Sequence, residues 1–158
     1  MLLRTTSTSR LSGLEPSVES SRELITLREK TERMLEHAVR EFVSVDDRYE
    51  VPYQSTCVIV HPIAWTKSRT LLRVIAPILI DVDDSSELFK KLSELNNTTI
   101  FGKFYARERT IYIEHNLLGE SVDTLEFRVV LASIAHHADH LNERLLAEFG
   151  GRKWSAHA

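Results

Sequence analysis

The segment that decides the fold is LLRVIAPILIDVDDSSELFKKLSELNNTTIFGKFYARERTIYIEH, residues 71–115, which leads into a long helical pattern ending at Phe149-Gly150-Gly151. This pattern predicts a strand, a short amphipathic helix, two strands joined by a turn, and a long final helix. Pro77 predicts a bulge or an edge position in the first of these strands, because proline cannot donate to the ladder. Asn96 is expected to end the short helix through a left-handed residue, and Asp123 to cap the long one.

The residues before this segment predict one further helix and one further strand. Ser20-Ser21-Arg22-Glu23 is a capping-box pattern, and the apolar residues behind it recur at helical spacing, which predicts a helix from about Ser21 to Val43. Residues 50–61 are rich in Val, Ile, Tyr and Thr and predict a strand, with His61-Pro62 at its end or at an edge. The predicted order is α-β-β(-β)-α-β-β-α, an α+β fold with an antiparallel sheet and the helices packed on one side.

Length and composition indicate one soluble domain. The 158 residues suffice for a single core, which we place at residues 20–151, between a flexible N-terminal arm (1–19) and a C-terminal tail (152–158). A net charge of −3 without a Lys/Arg block disfavours nucleic-acid binding, and no apolar run approaches the roughly 18 residues of a membrane span. The single cysteine, Cys57, excludes an intramolecular disulfide and is expected to be a buried thiol, which suits a cytoplasmic protein.

The stretch His136-His137-Ala138-Asp139-His140 is the one metal-like cluster in the sequence. On a helix His136 and His140 share a face, the i and i+4 geometry of zinc sites, and Asp139 could join from the side. Two ligands do not make a site, so we expect an exposed or subunit-facing His pair and no metal or other cofactor. A metal-binding protein or metal-dependent enzyme centred on this pair is the alternative function. No nucleophile with its base and no phosphate loop can be assembled, which argues against an enzyme.

The last helix carries a second apolar patch. Leu125, Val129 and Ala132 lie on the same side of it as His136, away from the stripe expected to face the core. A helix that is apolar on two sides is sandwiched or paired with another subunit. We therefore expect these four residues to form the interface of a homodimer.

Several short motifs carry a resemblance to a known family. They are the strand Arg73–Val82, the helix ending Leu92–Asn96, the hairpin Gly102–Ala106 with Ile111–Ile113, and the tail Ala138–Leu141 with Phe149-Gly150-Gly151. This tract resembles the YbjN family of bacterial sensory-transduction regulators, which shares its fold with the class I chaperones of type III secretion. The resemblance implies an α/β layer, often dimeric, that binds peptide or protein segments and has no catalytic residues to carry over.

An open antiparallel sheet leaves an edge or a second face for an extended partner. Tyr53, Val58, Phe104 and Tyr112 are candidates to line such a peptide-binding surface, although a place in the core is the alternative that the sequence favours for them. The preferred function is a non-catalytic chaperone-like module or regulatory adaptor with a protein or peptide client. A further hypothesis is a structural subunit whose N-terminal arm docks on a larger complex.

Overall fold

The structure is a computed structural model and describes residues 22–155. Along the chain it contains α1 (Arg22–Ala38), β1 (Val43–Val45), β2 (Arg48–Tyr53), β3 (Thr56–Ala64), β4 (Thr70–Ile80), α2 (Ser86–Thr98), β5 (Lys103–Arg107), β6 (Thr110–Leu118), α3 (Thr124–Phe149) and β7 (Arg152–Lys153). None of these helices is long and apolar enough to span a membrane. The expected capping box at residues 20–23 begins outside the described residues.

The strands form one antiparallel sheet in the order β1-β2-β3-β4-β6-β5, and β7 pairs with the end of β4. Helices α1 and α3 pack on β3 and β4, and α2 packs on β5. The predicted α+β class, an antiparallel sheet with its helices on one side, is confirmed. The sheet has one strand more between α1 and α2 than the prediction allowed, and β7 was not predicted.

The additional strand β1 comes from the early end of α1. The helix was expected to reach Val43 but ends at Ala38, where the amide of Val39 still donates to the carbonyl of Leu35. Phe42 then packs edge-on against Tyr49 of β2, with ring centroids 5.9 Å apart. The β-branched Val43 and Val45 suit a strand, and Asp46, with a φ of 55°, makes the turn back into β2.

Pro62 and Pro77 lie where the ladder does not need their missing donors. Pro77 lies beyond the last β3–β4 pair at Ile75, and the register shifts between Pro77 and Leu79, so the predicted bulge is confirmed. β3 continues to Ala64, two residues past Pro62, but β2 pairs only as far as Val60. Pro62 therefore occupies a one-sided part of its strand, as the edge prediction requires.

Of the two predicted helix ends, the one at Asp123 is correct and the one at Asn96 is wrong. The Asp123 side chain accepts from the amide of Glu126 and caps α3, as predicted. Asn96, by contrast, does not end α2, which continues to Thr98. Its side chain instead accepts from the amide of Phe104 (2.6 Å) and donates to the carbonyl of Phe104 (3.0 Å). Asn96 thus occupies the outer edge of β5 as a neighbouring strand would.

The strand register divides the sheet into two faces. We call the face under the helices the covered face, and most of its cross-strand pairs are apolar, for example Val60 with Val74 and Ala76 with Ile113. The fully buried helix side chains Leu35, Phe127, Ile134 and Leu145 belong to the same core. We call the opposite side the open face. Strand residues on it include Ile59, Arg73, Ile75, Lys103, Tyr105, Arg107, Tyr112 and Glu114.

Candidate functional site

The four residues predicted to bind peptide are not brought together. Val58 and Phe104 lie on the covered face and are buried in the core, the alternative that the sequence favours for them. Tyr53 ends β2 on the same side but is exposed. Tyr112 is half-buried on the open face. The set therefore cannot form one peptide-binding surface, because the sheet itself separates Tyr112 from the others.

The outward residues of α3 line an apolar groove. Leu125 is 72% exposed and Val129 is 42% exposed, and Ala132 is exposed one turn further on. The groove has a volume of about 680 Å³ and lies between the end of α1, β2 and the first half of α3. Its lining residues are Ala38, Val39, Arg40, Glu41, Val51, Pro52, Tyr53, Leu125, Arg128, Val129, Leu131, Ala132 and Ala135. His136, the fourth predicted interface residue, is exposed one turn beyond Ala132.

A polar contact holds the β2–β3 hairpin against α3. Asp139 accepts from the hydroxyl of Ser55 (2.6 Å) and from its amide (3.2 Å), and Asn142 donates to the same hydroxyl (2.8 Å). These hydrogen bonds from Ser55 lower the pKa of the Asp139 carboxyl. Because Tyr53 precedes this turn, the contact positions it at the rim of the groove. In the metal alternative Asp139 could join the His pair from the side, whereas in the structure its carboxylate accepts from Ser55.

The histidine pair does not complete a metal site. The rings of His136 and His140 stack with centroids 5.6 Å apart and planes 9° from parallel. Within residues 22–155 no group of three or more His, Cys, Asp or Glu side chains is arranged to hold a metal ion. The nearby His137 is turned inward, where its Nδ1 donates to the carbonyl of Ser133 at 2.7 Å. The geometry therefore gives the metal alternative no support.

A polar network lies at the centre of the open face. Glu114 is 6% exposed and accepts from the hydroxyl of Tyr105 (2.5 Å) and from the side-chain amide of Asn116 (2.7 Å). Arg73 pairs with it at 3.4 Å. Burial raises the pKa of Glu114, but these hydrogen bonds and the nearby cations outweigh burial and leave the pKa lowered. Burial, and then the hydrogen bond to this carboxylate, raises the pKa of Tyr105.

Two tyrosines and two cations lie beside this network. The rings of Tyr105 and Tyr112 stack with centroids 5.3 Å apart, Lys103 lies 6.0 Å from the Tyr105 ring and Arg107 lies 6.0 Å from the Tyr112 ring. We call these four residues the tyrosine–cation patch. Of these four residues, only Tyr112 was predicted from the sequence to bind peptide. The alternation along β5 places the other three on one face, but the pairing of Tyr105 with Tyr112 depends on the two-residue turn Glu108-Arg109.

The C-terminal residues border a second cavity on the open face. Gly150 and Gly151 have φ angles of 73° and 81° and reverse the chain after α3, so that Arg152 and Lys153 pair with Ile80 and Leu79. Trp154 then lines a cavity of about 400 Å³ together with Val43, Val45, Glu50, Pro52, Gln54, Ser55, Thr56, Cys57 and Ser155. Cys57 is buried as predicted, and burial raises the pKa of its thiol to about 11. A thiol with this pKa is protonated at neutral pH and a poor nucleophile.

Comparison with known proteins assigns the fold and the family. A chain of the HopA1–SchA chaperone–effector complex has the same fold, with a TM-score of 0.56 and 13% identity, over 80% of this chain and 99% of that chain. No curated protein matches the sequence. Residues 24–157 match the model of the family TY-Chap1, described as T3SS (YopN, CesT) and YbjN peptide-binding chaperone 1. The match covers most of the chain, which therefore belongs to this family of peptide-binding chaperones.

Proposed function

We propose that this protein is a non-catalytic chaperone or regulatory adaptor that binds a segment of a client protein and acts as a homodimer. Membership of a peptide-binding chaperone family supports client binding. Residues 20–151 would form the binding unit. A cytoplasmic location fits the single cysteine, Cys57, which has no intramolecular partner for a disulfide.

The observation that carries the homodimer is the apolar groove beside α3. Leu125 and Val129 are large apolar side chains, and they are exposed next to Ala132 on one helix face. Isolated exposed apolar residues are common, but a contiguous patch in a groove is typical of a protein contact. A second copy can cover this patch because a helix face with a small exposed residue such as Ala132 allows two helices to approach closely.

The experiment that tests the homodimer is light scattering coupled to size-exclusion chromatography. We expect the wild-type protein to have the mass of two chains and the Val129→Glu variant to have the mass of one, because the glutamate would be buried without a partner. Ala132→Glu should act in the same way. Ala147→Glu is the matched control, since Ala147 is exposed on the same helix but outside the groove. An unchanged mass for both groove variants, or a monomeric wild type, would exclude this interface.

A further inference from the structure

The open face carries an excess of positive charge in a protein whose net charge is −3. Its strand residues include four cations and two carboxylates, namely Arg48, Arg73, Lys103, Arg107, Glu50 and Glu114. Both carboxylates are already paired, Glu50 with Arg48 at 3.3 Å and Glu114 with Arg73 at 3.4 Å. The two remaining cations, Lys103 and Arg107, make no ion pair with any residue of the described range 22–155.

These two cations flank the stacked tyrosines along one strand. Lys103, Tyr105 and Arg107 point to the same side of β5, because alternate residues of a strand share a face. Lys103 and Arg107 are four residues apart, which on an extended strand is about 13 Å. The tyrosine–cation patch therefore presents an aromatic platform with a positive charge at each end.

The outer edge of β5 is unsuited to strand addition. Asn96 already occupies the amide and the carbonyl of Phe104, the groups that an added strand would need at the middle of β5. A partner must therefore lie across the face of the sheet at this end rather than extend it.

From this geometry we infer that the tyrosine–cation patch binds an acidic, extended segment of the client protein. The segment has carboxylates at positions i and i+4 and an apolar or aromatic side chain at i+2. In an extended chain these three positions share one face and repeat at the spacing of Lys103, Tyr105 and Arg107. The carboxylates pair with the two free cations, and the central side chain packs on the tyrosine rings. This inference rests on the proposed client binding and specifies its chemistry.

Other occupants of the patch fit less well. A second copy meeting the patch about a two-fold axis would bring Lys103 and Arg107 close to the same cations of its partner. A single-stranded nucleic acid is bound along a groove of cations that follows its phosphate backbone. Two free cations also form a small footprint for a phosphate chain. The patch therefore favours a peptide.

The test begins with selection of random twelve-residue peptides, displayed on phage, against the full-length protein. Selected peptides are then measured by fluorescence anisotropy against the wild type and against the double variant Lys103→Glu/Arg107→Glu. We expect enrichment of the i, i+2, i+4 pattern and roughly tenfold or greater weakening by the double variant. Peptides with lysine in place of both acids should bind the double variant better than the wild type. Lys67→Glu/Arg69→Glu, an equal charge reversal in the exposed β3–β4 turn, should leave affinity unchanged.

Each other outcome overturns the inference in a different way. Enriched peptides without the acidic pattern, or peptides whose affinity the double variant leaves unchanged, would exclude this surface and leave peptide binding itself intact. Failure to enrich any peptide would count against the proposed client binding as well. Tighter binding of a single-stranded oligothymidine than of the acidic peptides, with loss in the double variant, would assign the patch to nucleic acid.

Discussion

The same strands present two faces of different chemistry, the covered face and the open face. On the covered face the helices bury rows of aliphatic side chains, and Ala76, Ile111 and Ile113 have no measurable exposure. On the open face no helix of residues 22–155 covers the strands, and the rows alternate apolar, aromatic and charged residues around Glu114. Burial on one face stabilises the fold, because apolar burial is the main favourable term in folding. The open face contributes less apolar burial to stability, so its charged and aromatic side chains are available to bind a partner.

The largest expected effect on stability comes from truncating an aliphatic side chain on the covered face. Ile113→Ala opens a cavity between β6 and the helices and should lower the free energy of unfolding by about 2–5 kcal/mol. Ile75→Ala on the open face is the matched control and should cost only about 1 kcal/mol, because Ile75 is half-buried. Urea unfolding followed by circular dichroism measures both. Equal losses would mean that the open face is as tightly packed as the covered one.

A smaller effect should come from Glu114, whose carboxylate is buried on the open face. Glu114→Gln removes the charge that Tyr105, Asn116 and Arg73 stabilise, and should lower stability at pH 7 by about 1–3 kcal/mol. The pKa of Glu114 is lower in the folded chain than its ordinary value of 4.5. Its contribution is therefore complete above about pH 4.5 and is lost as the pH falls through the folded-state pKa.

The comparison across pH separates this charge from a purely structural effect. The stability difference between wild type and Glu114→Gln should shrink when urea unfolding is repeated at successively lower pH below 4.5. Glu94→Gln, at an exposed position of α2, should show no comparable difference at any pH. A constant gap between Glu114→Gln and wild type would show that the carboxylate contributes through its shape alone.

The two faces also differ in how well the sequence predicts them. The α+β class, the hairpin and the apolar stripe of α3 follow from periodicity, because core-facing residues repeat at the period of their own element. The role of Asn96 does not follow, since its partner Phe104 is eight residues away across a chain reversal. The tyrosine–cation patch depends in turn on register. The turn that sets it, Glu108-Arg109, has two positive φ angles without the Asn-Gly signal that predicts such turns.

The short strands β1 and β7 were missed for a related reason. Each has only three or two residues, too few for alternation to be visible, and each forms because a neighbouring strand offers free backbone groups. Only one wall of the groove beside α3 could be predicted from the sequence. Leu125 and Val129 were recognisable from the helical wheel, but the opposite wall at Val51 and Tyr53 depends on where the hairpin lies against the helix.

The smallest expected effect concerns the polar side chain that interrupts the covered face. His115 pairs with Val74 in the register, and its Nδ1 accepts from the amide of Gly102 at 3.1 Å. This hydrogen bond requires Nδ1 to be unprotonated. Burial lowers the pKa of His115 below its ordinary value of 6.5, with Glu126 raising it and Lys103 lowering it further. The folded state thus favours the neutral ring, so stability is complete above about pH 6.5 and falls as the pH drops below that value.

Replacing this histidine should therefore change the pH profile more than the stability itself. In His115→Asn the side-chain oxygen can accept a hydrogen bond from the amide of Gly102 in place of Nδ1. The free energy of unfolding at pH 7.5 should therefore change by less than about 1 kcal/mol. Between pH 6.5 and pH 5 the wild type should lose stability that the variant retains, as followed by urea unfolding. His37→Asn provides the control, because His37 is exposed on α1 and should leave the wild-type profile unaltered. Parallel profiles for wild type and His115→Asn would mean that the covered face tolerates a charged imidazole. The contrast between the covered face and the charge-bearing open face would then be weaker than the burial pattern indicates.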